Sequence, residues 1–238
     1  MRYLLLLVWT LFLSGGVVQG EPEEEPWTVE QRVAQYGSVV DARLQPDFAR
    51  AGVSYPPKEL TLVVLKAERR VELYARNGKS KPYRYIRFYP IQAASGEMGP
   101  KLREGDEQVP EGIYEVEALN PNSLFHLSLR VNYPNAFDRA QAQRDGRTIL
   151  GGDIMIHGSN VSIGCVAMGD PVAEDLFILA ARTGLPQIHL LFCPYDFRLG
   201  TRPDGGSDLP AWTASLYADL EKALRKLPVP MKASREER

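Results

Sequence analysis

The sequence predicts a mainly β domain with flanking helices, an α+β class, on three observations. Short β-branched and aromatic runs recur from Glu59 to Cys193, separated by Gly, Pro, Asn and Asp turns. Apolar residues at helical spacing are confined to the two ends and to one segment after Asp170. The length, 238 residues with 44% hydrophobic composition, suits a single domain that buries its own core.

Residues 1–20 have the make-up of an export signal. Arg2 supplies the positive start, Leu4 to Leu13 an apolar run, and Val18-Gln19-Gly20 a small-residue cleavage site. The run is shorter than the ~20 residues of a membrane span, so no stable membrane insertion is expected after cleavage. The formal charge is −2, with no basic tract or face, so nucleic acid is not an expected partner.

Glu21 to Pro26 reads as an acidic leader and Trp27 to Ala51 as one or two helices, with Val29, Val33 and Tyr36 on one face and Pro46 able to open a second helix. Tyr55-Pro56-Pro57 is a stiff connection that completes a segment over 21–58. Thr61–Lys66 and Val71–Arg76 flank a charged turn and predict a hairpin, and Tyr83–Ala93 another strand. Ser95 to Lys101 is a glycine-rich loop, Ile113 to Val116 re-enters the sheet, and Phe125–Val131 alternates cleanly with His126 on it. Asn132 to Arg139 reads as a polar loop that carries Tyr133.

Asp170 and Pro171 have the chemistry of an N-cap and first helical residue, with Gly184 as the stop. Gln187–Cys193 is a buried strand, on which His189 reads as a core histidine. Leu199–Leu209 is a loop, Trp212–Leu227 an amphipathic helix, and Met231–Arg238 a charged tail, so residues 199–238 form an appendage to a domain over 59–198.

The chemistry gathers in Asp153–Asp170. Asp153 to Ile156 is a short apolar strand that delivers His157, and a small-residue loop then presents Cys165. Fully extended, eight residues hold them roughly 25 Å apart. They meet only if the loop folds back, which Gly158, Ser159, Asn160 and Gly164 permit. An imidazole brought to a thiol makes the thiol a nucleophile. A lone Cys is also a common inert core residue, and a glycine beside it with a polar turn before it speaks against that reading. Cys165 and Cys193 are the two cysteines, and in an oxidising compartment a disulfide between them is the competing use. No C-x-x-C or H-x-x-x-H spacing predicts a metal site, and no cofactor is expected.

The run H-G-S-N-V-S-I-G-C-V-A-M at 157–168, preceded by G-P-K-L-R-E-G-D-E-Q-V-P-E-G-I-Y at 99–114, resembles the L,D-transpeptidase (YkuD-domain) family, and within it the YafK-like branch of Gram-negative periplasms. The resemblance covers roughly 59–198. It implies a β-rich sandwich that carries a catalytic cysteine loop, in a periplasmic enzyme acting on peptidoglycan stem peptides at diaminopimelate. It implies Cys165 as nucleophile, His157 as general base and acid, and Gly164, Ser162 and Gly158 as oxyanion or positioning residues. His126, Tyr133 and Ser159 are candidates for substrate binding. Where most members have a second histidine two positions before the cysteine, this chain has Ile163. His126 is the candidate to replace it. Transfer to an amine and hydrolysis, including release of a murein-linked lipoprotein, both stay open, and a non-catalytic peptidoglycan-binding module is the reading of another class.

Overall fold

The computed structural model describes residues 25–200 and 209–230. The export-signal reading, most of the acidic leader, most of the 199–209 loop and the C-terminal tail lie outside the described residues. Four helices flank one curled, mixed sheet of nine strands in the order β3-β2-β1-β9-β5-β6-β7-β8-β4.

The predicted hairpin is present as β1 (Glu59–Leu65) and β2 (Arg70–Arg76), antiparallel, with β3 (Arg84–Pro90) on its outer edge. On its other side β1 pairs in parallel with β9 (Ile188–Cys193), so both are central strands. Their alternation explains why each reads as continuously apolar. Leu60, Leu62, Val64, Ile188, Leu190 and Phe192 enter one core, while Val63, Leu65, Leu191 and Cys193 enter a second. The first core lies under α1 (Val29–Ala51) and α3 (Asp170–Thr183), and the second under α4 (Thr213–Leu224).

Helix α1 is one continuous helix with Pro46 inside it, where the sequence suggested a second start. Val40, Leu44 and Phe48 form a single fully buried stripe, and that packing holds the helix across the proline. Residues 132–139 are also more regular than expected. Asn135 accepts from the Phe137 and Asp138 N–H groups, Asp138 accepts from the Asn135 N–H, and the capping box opens α2 (Ala136–Arg144). At α3 the cap residue is Gly169, one position earlier than predicted, and Asp170 is already helical.

The long strand β5 (Gly112–Ser123) joins the two halves of the sheet, pairing with β9 at its start and with β6 (His126–Val131) along its end. Strand β7 (Met155–His157) adds antiparallel to β6, β8 (Val166–Ala167) pairs parallel with β7, and β4 (Ala93–Ala94) closes the edge. The Lys66 ammonium pins the loop after β4 from beneath, donating to the carbonyls of Glu97, Gly99 and Val109 and to the buried Glu111 carboxylate. Glu111 also accepts from the Gly99 N–H and the Tyr217 hydroxyl, so this buried ion pair has its hydrogen bonds filled.

Candidate active site

The loop between His157 and Cys165 folds back as its small residues require. Ile156 pairs with Val166 and His157 with Ala167, so the same register sets Cys165 beside Met155. Parallel partners share a face, and residues two apart on a strand share it too. Met155, whose N–H meets the Cys165 thiol, stands two positions before His157 on β7, so the folded loop returns Cys165 to the strand that carries the histidine. The Met155 N–H reaches Cys165 Sγ at 3.4 Å, and the thiol lies 3.5 Å from the Asp153 carbonyl oxygen. Among the described residues no hydrogen bond links the thiol to the imidazole.

The imidazole is held by backbone. Nδ1 donates to the Gly158 carbonyl oxygen at 2.6 Å, which places the proton on Nδ1 and leaves Nε2 with a lone pair. The Phe125 ring covers the imidazole at 4.7 Å between centroids. His157 is 2% exposed, and this desolvation lowers its pKa below the ordinary 6.5, against the opposing effect of the Gly158 bond. Burial also raises the half-buried Cys165 thiol above its ordinary value, against the Met155 N–H. Burial thus shifts both groups towards their neutral forms.

Ser162 and Gly164 shape the loop that presents Cys165. The Ser162 hydroxyl donates to the Cys165 carbonyl at 2.6 Å and accepts from the Cys165 N–H at 3.0 Å. Gly164 has φ of 85°, in the left-handed region where a side chain is strained. Its N–H donates to the Ser95 hydroxyl at 2.6 Å, and Ser95 in turn donates to the Glu107 carbonyl at 2.7 Å. The backbone N–H groups of Gly164 and Cys165 are therefore both engaged by hydroxyls. Ser95 lies 69 positions before Gly164, and nothing local in the sequence marks it.

Gly158 is required for another reason. A Cβ there would lie 2.5 Å from Asp170 Oδ1 and 2.7 Å from the Phe125 carbonyl oxygen. Asp170 accepts from the Ser159 N–H at 2.7 Å, and Ser159 has φ of 61°, so Ser159 shapes this corner through its backbone. Beside the loop, a cavity of about 190 Å³ is lined by Lys101, Glu104, Glu107, Asp153, Ile163 and Gly164. Ile163 is 77% exposed on its rim.

Two expected substrate-binding residues are placed elsewhere. Tyr133 is buried, and its hydroxyl is spent on the carbonyls of Lys101 and Leu150, so it ties two loops to the core. His126 does not supply a second imidazole to the thiol. Its Nε2 faces Glu174 at 3.2 Å and its ring packs edge-on against Tyr36. Both cysteines are free: Cys193 lies buried in the second core, so the disulfide does not form. Among the described residues no group of three or more His, Cys, Asp and Glu could hold a metal, and no helix is long and apolar enough to cross a membrane.

Comparison with known proteins matches the sequence to a family. Residues 59–187 match the family model for the L,D-transpeptidase catalytic domain, YkuD. YafK of Escherichia coli (strain K12) is 34% identical over 137 residues, covering 56% of this chain and 52% of that protein. The chain thus spans about half the length of the curated relatives it matches. Among solved structures, the helical cell shape determining protein Pgp2 of Campylobacter jejuni is 26% identical, with a TM-score of 0.45 over 68% of this chain and 54% of that one. Bd1075 of Bdellovibrio bacteriovorus is 22% identical, with a TM-score of 0.42 over 73% and 56%. The share of the chain that the family model covers settles its membership: this chain belongs to the YkuD family of L,D-transpeptidase catalytic domains.

Proposed function

We propose that the chain is an exported, periplasmic enzyme that transfers acyl groups from peptidoglycan stem peptides at diaminopimelate through a Cys165 thioester, with residues 59–198 as its catalytic domain. The observation that carries this reading is the return of the Cys165 thiol to β7, against the Met155 N–H, on the strand that ends in a tautomer-fixed His157.

In this reading the thiol sulfur attacks the amide carbon while its proton passes to Nε2 of His157. The tetrahedral oxygen takes hydrogen bonds from backbone N–H groups of the loop, replacing the Ser95 or Ser162 hydroxyl. Collapse breaks the C–N bond, and the imidazolium returns its proton to the leaving amine. An incoming amine or water then attacks the thioester, gives up a proton to His157 and releases the thiol. Water is the second reading of the acceptor, favoured by the charged rim of the cavity beside Gly164. In that case the product is a freed peptide end or a released murein-linked lipoprotein.

The test uses purified protein, muropeptides bearing a covalently attached lipoprotein fragment, and mass spectrometry, with Cys165→Ala alongside. Release of the fragment establishes hydrolysis, and new diaminopimelate cross-links establish transpeptidation. Identical products from wild type and Cys165→Ala sink the nucleophile assignment and favour a binding module.

A further inference from the structure

We infer that the β5–β6 turn is a built clamp on the catalytic imidazole, with Phe125 as a positioning residue that fixes the plane and hydration of His157. The inference deepens the acyl-transfer reading and rests on it.

Ser123 pairs with His126 across the turn, leaving Leu124 and Phe125 at its tip, and the Ser123 hydroxyl accepts the Phe125 N–H at 3.1 Å. Leu124 is almost wholly exposed and Phe125 is 41% exposed, so packing into a core does not account for an aromatic here. What the ring covers is the imidazole, at 4.7 Å with 32° between planes. That contact covers one face of a ring whose Nδ1 is held by the hydrogen bond to Gly158.

The turn is held in place at some cost. His126 has φ of 72°, a left-handed conformation that a non-glycine residue adopts only when its surroundings impose it. The surroundings are specific. Glu174 on α3 faces His126 Nε2 at 3.2 Å and pairs with Arg43 of α1 at 2.9 Å, while Tyr36 of α1 packs edge-on against the His126 ring. Two helices therefore grip the residue next to Phe125. On the other side, the backbone after His157 meets the turn directly: a Cβ at Gly158 would lie 2.7 Å from the Phe125 carbonyl and 3.0 Å from His126 Cβ. Gly158 also donates its N–H to Leu127 at 3.2 Å. The titratable groups that bond to this corner are Asp170 on α3, which accepts from the Ser159 N–H, and the His126–Glu174 pair between the turn and α3.

The experiment compares full-length wild type with Phe125→Ala and Phe125→Tyr. It reads two quantities, the His157 titration midpoint by nitrogen-15 NMR and the pH profile of muropeptide turnover. The chain has three histidines, so His157 is readily assigned. Rehydrating the imidazole relieves the burial that disfavours its charged form, so Phe125→Ala raises the midpoint by about half a pH unit or more. The acid limb of the rate profile moves up with it, and kcat falls about tenfold with KM within about twofold. Phe125→Tyr, which keeps the ring, restores both. A Phe125→Ala protein with a dispersed spectrum, an unmoved midpoint and undiminished kcat overturns the inference. A moved midpoint in a protein whose wild type turns over no muropeptide supports the clamp and overturns the acyl-transfer reading.

Discussion

The His157 imidazole is oriented by the carbonyl of the next residue, Gly158, at 2.6 Å from Nδ1, and among the described residues no carboxylate bonds to it. A neutral acceptor fixes the tautomer without adding negative charge that would raise the histidine pKa. The neutral ring therefore keeps its lone pair on Nε2, the nitrogen that the proposed mechanism uses as base.

This arrangement sets the pH dependence of the reaction. Burial holds the folded His157 pKa below 6.5, and the proposed mechanism needs the neutral imidazole. Activity is accordingly retained as pH falls through 6.5 and is lost only below it, so the acid limb of kcat/KM lies beneath the free-histidine value. A limb above 6.5 contradicts this placement.

The thiols give a second pH prediction. Burial raises Cys165, so alkylation by iodoacetamide is slow at pH 7 and accelerates towards and beyond pH 9, its ordinary value. Cys193, buried in the second core with its thiol raised much further, stays unmodified and serves as an internal reference. Peptide mass mapping over a pH series checks both.

Gly158 and Gly164 fail differently when replaced by alanine. At Gly158 the Cβ overlaps backbone and carboxylate oxygen at 2.5–2.7 Å, so Gly158→Ala costs about 1–3 kcal/mol in urea unfolding and displaces His157. At Gly164 the nearest atom is 3.6 Å away and the cost is the left-handed φ, about 1–2 kcal/mol. Activity falls in both.

Breaking the buried Lys66–Glu111 pair loosens the loop that carries Lys101. Lys66→Ala leaves the Glu111 carboxylate without its cation, which costs about 3–5 kcal/mol. Thermal and urea unfolding read the loss directly. Wild-type stability in that variant contradicts the role of the pair.

Much of this architecture is legible in the sequence because it depends on local period. β1, β2, β9 and α3 alternate or repeat strongly enough to be read directly, and the H-G…G-C spacing locates the nucleophile loop. Helix α2 escapes because its buried residues are Asp138, Gln141 and Ala142, which carry no apolar stripe. Pro46 misleads because a tertiary stripe overrides a local signal. The roles of Tyr133, His126 and Ser95 depend on partners 12 to 90 positions away, which no local pattern displays.

The most direct test of the central claim is intact-mass and peptide mapping of the protein quenched during turnover of a diaminopimelate-containing stem peptide. The mechanism predicts a covalent adduct on Cys165 with the mass of the acyl fragment, absent in Cys165→Ala and formed about 10²–10⁴-fold more slowly in His157→Ala. Turnover with no adduct on Cys165, at a rate unchanged in Cys165→Ala, would contradict it.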